Sequence, residues 1–450
     1  MFQASGGCPF QLHANVLGPA RLRAAGPGSS SLRIVPKFIP RRPGVTLIAV
    51  TLALGSACVR SEVPATSVAN APLPVDLASQ IVSEAQAKTG AVQDSPGPWG
   101  LLRSSYVYIA APDSLLELFP VPSAVTRWTF VGMSRADVAA LLDQPDVPAS
   151  LRAEAADAAK LTKVGDDVQF TPSAAALLAL PPQARARIYQ VLARWEVNEF
   201  HHDPYFVPEA DVDRWIGGTG LRPDMVDAVK RTAYPRGKSL CFSDLPLLVS
   251  LSQSHAESRA TLKALSRTRT ALLSLRLDSS SNVARIREYW SSGNANAKDF
   301  LPLLESAAAN PAIEQIDIVH ILPPYARKLC YTYPHPTLAV GGRYPDCHWT
   351  SLNFFNYRPE ERLFDTAGAG MYVRERCDPG LPPYQFGDIL FFTDAQGHAV
   401  HSCVYLADEF VFTKNGANVI SPWLIMKLSE VVDRYGVREQ PTVQIYRRRQ

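Results

Sequence analysis

The sequence predicts an α+β protein: a mainly helical N-terminal body, then a C-terminal domain in which a helix precedes an antiparallel sheet. Helical periodicity dominates residues 99–297. From residue 298 onward the apolar pattern shifts to alternation, broken by Gly and polar turns. A proline-rich stretch separates both from a basic N-terminus. The 450 residues suit two or three domains. A hydrophobic fraction of 46% excludes a wholly disordered chain, and a net charge of +3 is too small to argue for nucleic acid. No uninterrupted apolar run reaches about 18 residues, which excludes a polytopic membrane protein.

Residues 1–58 contain no Asp or Glu but carry Arg21, Arg23, Arg33, Lys37, Arg41 and Arg42 ahead of an apolar run, Gly44 to Ala57. A basic region, a run too short for a comfortable span and a small-residue site make a secretory signal. Leu54-Gly-Ser-Ala-Cys58 resembles a bacterial lipoprotein box, which implies lipidation at Cys58. Arg41-Arg42 is a twin-arginine pair, but Pro43-Gly44 does not supply the apolar residues that route favours. Residues 59–98, rich in Ala, Pro, Ser and Val, read as a tether. The expected location is therefore the cell envelope or periplasm, with the membrane reached through Cys58. With six positive charges set aside in the address, the remainder of a +3 chain is mildly acidic.

Within 99–297, Ser134 can cap a helix through Val138, Leu141 and Leu142. Thr171-Pro172 reads as a cap followed by proline at the first helical position. Ile188, Val191, Leu192 and Trp195 form a helical stripe, and a further helix is expected from Ala256 to Arg269. Leu273, Leu275 and Leu277 alternate with polar residues, which fits a strand or the end of that helix. Glu199, His201, His202 and Asp203 are all metal-ligand types, but successive helical residues face different ways and Pro204 ends the helix. The expected reading there is a solvated helix end. The role of this body is not legible in the sequence.

The chemistry lies in 298–450. A helix at Lys298–Ala308 and a strand-like run at Ile316–Leu322 lead through Tyr331 and Tyr333 to a loop, Gly341-Gly-Arg-Tyr-Pro-Asp346, and then Cys347. Asp346 can cap a helix that starts at Cys347. Helix-start amides and the helix dipole favour a thiolate, the nucleophilic form of cysteine. Three strands should follow as a meander, Phe386–Phe392, Ala399–Leu406 and Phe410–Gly416. Alternation puts His401, Cys403 and Tyr405 on one face, and Val400, Ser402, Val404 and Leu406 on the other. His398 adjoins a turn and faces away from His401, and Asp388 reads as a turn residue. His348, next to Cys347 on the helix, points elsewhere and suits a cleft rim. Trp349 also suits the cleft, although with Phe354 and Phe355 at helical spacing it reads equally as core.

These residues resemble the NlpC family of cell-wall cysteine peptidases over roughly 325–435. That family's cysteine follows an Asp at a helix start, as Asp346-Cys347 does, and its histidine opens a strand similar to His401-Ser-Cys-Val-Tyr-Leu-Ala407. The resemblance implies a papain-like fold, no cofactor and no metal. It also implies amide hydrolysis by a Cys-His-polar triad, with peptidoglycan stem peptide as the substrate. Cys347 and His401 take the first two roles. Phe412 stands where the family has its third polar residue, so Asn415 is expected to orient the imidazole, with Lys414 a poorer substitute. His348-Trp349 replaces the family's Ser-Gly, and Tyr333, with Tyr331, lies where a pocket tyrosine is expected. The departures motivate two alternatives: a catalytically inactive envelope scaffold or binding protein, and a papain-like acyltransferase or amidase acting on a non-wall substrate. A zinc site from His398, His401 and Cys403 with Cys347 or Cys377 fits no standard spacing. Cys241, Cys330 and Cys377 could include one disulfide.

Overall fold

The computed structural model describes residues 10–11, 92–208, 211–277, 281–292, 297–436 and 441–449. Apart from residues 10–11, the export segment lies outside them, as do Cys58 and most of the expected tether. The mixed α+β class holds, with its elements arranged around one strand, Thr268–Arg276. Ala271, Leu273 and Leu275 from this strand are buried, and it lies antiparallel between Gly100–Ile109 and Gln315–Asp317, with Gln93–Gly97 at the far edge. The helix expected to run to Arg269 ends at Leu265, because the chain turns there into this strand. Gln93–Gly97 also shortens the expected tether: residues 93–97 pair with residues 100–104 as a hairpin.

The expected boundary at 297/298 falls inside a packed unit. Thr268–Arg276 crosses it by pairing with Gln315–Asp317. The same strand is tied to the C-terminal sheet, where the Thr270 hydroxyl donates to the Ile425 carbonyl and accepts from the Ile425 N–H, each at 3.0 Å. A buried Arg269–Glu430 ion pair adds a second tie. Leu102, Leu273, Trp290, Trp349, Phe391 and Ile425 belong to one continuous apolar core. Burial of that core is the main stabilising term, at about 25 cal/mol per Å² of apolar surface. The body expected to be mainly helical is mixed, since it also holds two small sheets, Trp128–Phe130 with Leu161–Val164 and Asp167–Phe170, and Tyr205–Val207 with Tyr234–Arg236 and Ser239–Phe242.

Local signals account for several helix starts. Ser134 accepts from the Asp137 N–H and Asp137 reaches back to the Ser134 N–H, a complete capping box for Arg135–Leu142. At the next site the cap is Ser173, whose hydroxyl accepts from the Ala176 N–H, and not Thr171; the helix starts at Ala174. The run expected as strand to Leu322 stops at Asp317, whose carboxylate accepts from the Val319 N–H at 2.8 Å and turns Ile318–His320 into a 3-10 helix.

The C-terminal sheet is antiparallel throughout. Its order is Cys377–Pro379, Thr442–Arg448, Ile389–Thr393, His398–Ala407, Phe410–Lys414 and Trp423–Lys427, with Phe10–Gln11 pairing to His398–Ala399. The expected meander is thus the middle of a larger sheet. Gly387 enters it at φ 88°, and a Cβ there would meet the Phe355 ring at 2.2 Å, so the turn requires glycine. One face of the sheet packs on the Cys347–Leu352 helix. Leu390, Phe392, Cys403 and Val411 on the other face pack with Val431 of the Leu428–Tyr435 helix.

In the N-terminal body a charged network is fully enclosed. Arg185 Nη1 meets Asp244 Oδ2 at 2.5 Å, and the Tyr189 hydroxyl donates to Asp244 Oδ1 at 2.6 Å. His201 packs edge-on against Tyr189 at 4.4 Å, and its Nε2 has no hydrogen-bond partner. Burial, assisted by Arg185, pulls this imidazole down to about 3. The folded protein holds His201 neutral where the unfolded chain would protonate it. Stability from this group is therefore present above about pH 6.5 and lost as pH falls toward about 3, by up to roughly 1.4 kcal/mol per pH unit. Urea melts across that range should show His201→Phe with a shallower loss than wild type; equal slopes would refute the assignment.

Candidate active site

The Asp346 carboxylate accepts from the Trp349 N–H at 2.8 Å and caps a helix whose first residue is Cys347. Its first turn is fixed to the sheet through hydroxyls. Ser351 Oγ donates to the Cys347 carbonyl at 2.9 Å, and Ser402 Oγ lies 3.1 Å from Ser351 Oγ and 3.3 Å from the same carbonyl. Residue 402 of the strand is therefore seated against the helix start, next to His401. Cys347 is 7% exposed and His401 0%.

A β-bulge tunes this strand. His401 pairs with Phe392 but Ala399 pairs with Thr393, which leaves Val400 without a cross-strand partner and 41% exposed. Ala399 consequently shares the Ser402 face, while His401 keeps the Cys403 face. The His401 ring lies flat on Tyr435, with centroids 3.9 Å apart and planes 14° off parallel. Its Nε2 meets Thr413 Oγ1 at 3.0 Å, and its Nδ1 is buried without a partner. Burial pushes this imidazole well below its ordinary value, with His348 and Arg434 adding to the effect, so the ring is neutral at neutral pH.

The Cys347 helix packs on the Ser402 face of the sheet and His401 lies on the opposite, Cys403 face, so no hydrogen bond joins the two, although the charge of Cys347 reaches groups on the His401 face. Burial raises the Cys403 thiol and the Tyr435 phenol, and nearby Cys347 raises both further. Both groups belong to the His401 side of the sheet. Lys414, fully buried, is brought down to about 7 by burial, with Asp346, Cys347 and Asp203 opposing the fall. Its ammonium donates to the carbonyls of Gly416 and Asn418 at 2.8 and 2.9 Å.

Several expected roles change. Asn415 does not hold His401: its amide donates to Met426 Sδ at 3.6 Å and its carbonyl oxygen accepts from the Tyr435 hydroxyl at 3.4 Å. Thr413 takes that position, because residues 401 and 413 face the same side of the sheet. Tyr333 is not in a cleft at the thiol; its hydroxyl donates to the Ile109 carbonyl at 3.2 Å, and its ring packs in an apolar cluster with Leu116 and Ile420. Trp349 is core, 1% exposed against Tyr325 and Phe364. His348 does not point away from Cys347. Adjacent helical side chains diverge by about 100°, which still allows contact at an open first turn. Its Nδ1 is 3.0 Å from Ser402 Oγ, its ring lies 16° from parallel to Phe391, and it lines a small cleft with Asp346, Arg343 and Asp365. A second cleft, about 870 Å³ with its open mouth, borders Asn415, Met426, Arg434, Glu199, Asp203 and Tyr205.

The remaining ligand-type residues are dispersed. His398 Nδ1 pairs with Asp394 at the turn, at 3.2 Å. His202 Nδ1 is 2.9 Å from the Ala193 carbonyl oxygen, and Asp203 is bridged to Arg434 at 2.8 Å. Asp388 takes both guanidinium arms of Arg447 at 2.8 Å. Cys241, Cys330, Cys347, Cys377 and Cys403 are all free thiols, so the suggested disulfide among them is absent. Among the described residues no helix is long and apolar enough to cross a membrane, and no three metal-ligand side chains converge.

Sequence reasoning missed Ser402, Thr413 and Tyr435. Only Thr413 left a signal, as a hydroxyl on the face that alternation assigns to His401. Comparison of the chain with protein-family models, curated proteins and solved structures found no match.

Proposed function

We propose that the chain is an exported cysteine hydrolase of NlpC-like, papain-like type that cleaves an amide bond, with peptidoglycan stem peptide as the substrate. Cys347 is the nucleophile, His401 the base and Thr413 the residue that orients it. The observation that carries this reading is the state of His401. One nitrogen is held by Thr413, while the other is buried with no partner, on the strand whose next residue, Ser402, is seated against the helix start at Cys347. Such an orphaned nitrogen is costly unless it serves a group that arrives or ionises. Attack of Cys347 sulfur on the amide carbonyl forms a thioester and releases the amine. Water then adds to the thioester, giving up its proton to neutral His401, and the acid leaves. The export part of the reading rests on the N-terminal sequence pattern alone.

The burial of Cys347 and His401 favours a second reading, an envelope scaffold with an inactive site. Digestion of purified stem peptides by the full chain, followed by mass spectrometry, separates the two. The hydrolase reading expects new amine and carboxylate termini with wild type and none with Cys347→Ala. Equal products from both proteins, or none from either, would sink it.

A further inference from the structure

We infer that His348, and not His401, is the resting partner of Cys347, holding the thiol proton so that the site waits as a thiolate–imidazolium pair. This inference rests on the hydrolase reading above and assigns the two histidines different tasks. It is carried by hydrogen-bond direction. The chain of hydroxyls from His348 ends on a group that can only accept: His348 Nδ1 to Ser402 Oγ at 3.0 Å, Ser402 Oγ to Ser351 Oγ at 3.1 Å, and Ser351 Oγ to the Cys347 carbonyl at 2.9 Å. With each hydroxyl donating toward that carbonyl, Ser402 must accept from the His348 Nδ1–H. With Nδ1–H committed to Ser402, Nε2 is the nitrogen left to take the proton of Cys347, the ring's other side-chain partner.

The surrounding charges agree. Burial works against charge on His348, but Cys347, as both a charge and a hydrogen-bond partner, outweighs it together with Asp346 and Ala399, and the imidazole rises to about 9. Arg343 and Asp365 share the cleft that His348 lines, and His401 feels its charge from the strand. The other titratable groups that the charge of Cys347 reaches are Lys414, Tyr435 and Cys403. Lys414 is already committed to two carbonyls. His401 is held neutral by burial and cannot keep the proton at rest. The step balances simply: the S–H bond of Cys347 breaks, an N–H bond forms on His348, and no other reactant is needed. In acylation His348 can return that proton to the leaving amine, which leaves neutral His401 to act on water.

The test is peptide-resolved iodoacetamide labelling of Cys347 in the full chain across pH 4–10. Wild type should label with a midpoint at least about one unit below an ordinary thiol, whose pKa is ~8.5. His348→Gln should raise that midpoint by a unit or more, slowing labelling at pH 6 about tenfold, while His401→Gln leaves it in place. A low wild-type midpoint that survives His348→Gln but rises in His401→Gln would overturn the inference and leave the hydrolase reading standing. An ordinary midpoint in wild type would overturn both. Ring ¹⁵N shifts of His348 in the unmutated protein at pH 7 give a readout that does not depend on a variant folding: a neutral ring refutes the pair.

Discussion

His401→Ala is expected to lower kcat/KM for amide hydrolysis by about 10³-fold or more, which is roughly 4 kcal/mol of transition-state stabilisation. The expected loss is large because His348 is protonated against Cys347 at rest, which leaves His401 as the neutral imidazole able to act on water. Lys414 is tied to Gly416 and Asn418, His398 is paired with Asp394 at the far turn, and Asn415 cannot accept a proton. Thr413→Val should lose less, and in kcat more than KM, since it removes the hydrogen bond at Nε2 without removing the ring stacked on Tyr435. Steady-state kinetics on a single stem peptide measure both. An His401→Ala protein within tenfold of wild type would end the assignment of His401 as base.

Asp244→Ala is expected to destabilise the fold by about 3–5 kcal/mol, read as a fall in the urea midpoint. Both members of the Arg185–Asp244 pair are 0% exposed, so removing the carboxylate leaves a guanidinium with no compensating charge and the Tyr189 hydroxyl without its acceptor. Removing both charges, as in Arg185→Met with Asp244→Leu, should recover much of the loss, because no charge is then left buried. A loss under about 1 kcal/mol in the single variant would mean that water reaches the site.

The helix at Cys347, its Asp346 cap and the three strands of the meander are legible because each is a local pattern: a capping side chain, a two-residue alternation, a glycine turn. The partners of those elements are not. Thr442–Arg448 inserts between Cys377–Pro379 and Ile389–Thr393, and Thr268–Arg276 joins residues far apart in sequence; no local periodicity carries such pairings. The site divides the same way. The roles expected of Cys347 and His401 rest on their own neighbourhoods in the chain. The replacement of Asn415 by Thr413 followed from sheet register, and Tyr435 from a helix packed on the opposite face. His348 was misplaced because a helical-wheel argument treats the first turn as if its side chains had no sheet beneath them. Tyr333 and Trp349 are aromatic residues near a nucleophile in sequence, but the apolar core claims both.

The strand order has a consequence for how the protein is made. Ile389–Thr393 and His398–Ala407 emerge from the ribosome well before Thr442–Arg448, which must then slot in beside Ile389–Thr393. Until it does, Ile389–Thr393 presents an unpaired edge, and the sheet that braces His401 is incomplete. A nascent chain would therefore hold that edge open to mispairing until about fifty further residues had been translated beyond Ile389–Thr393.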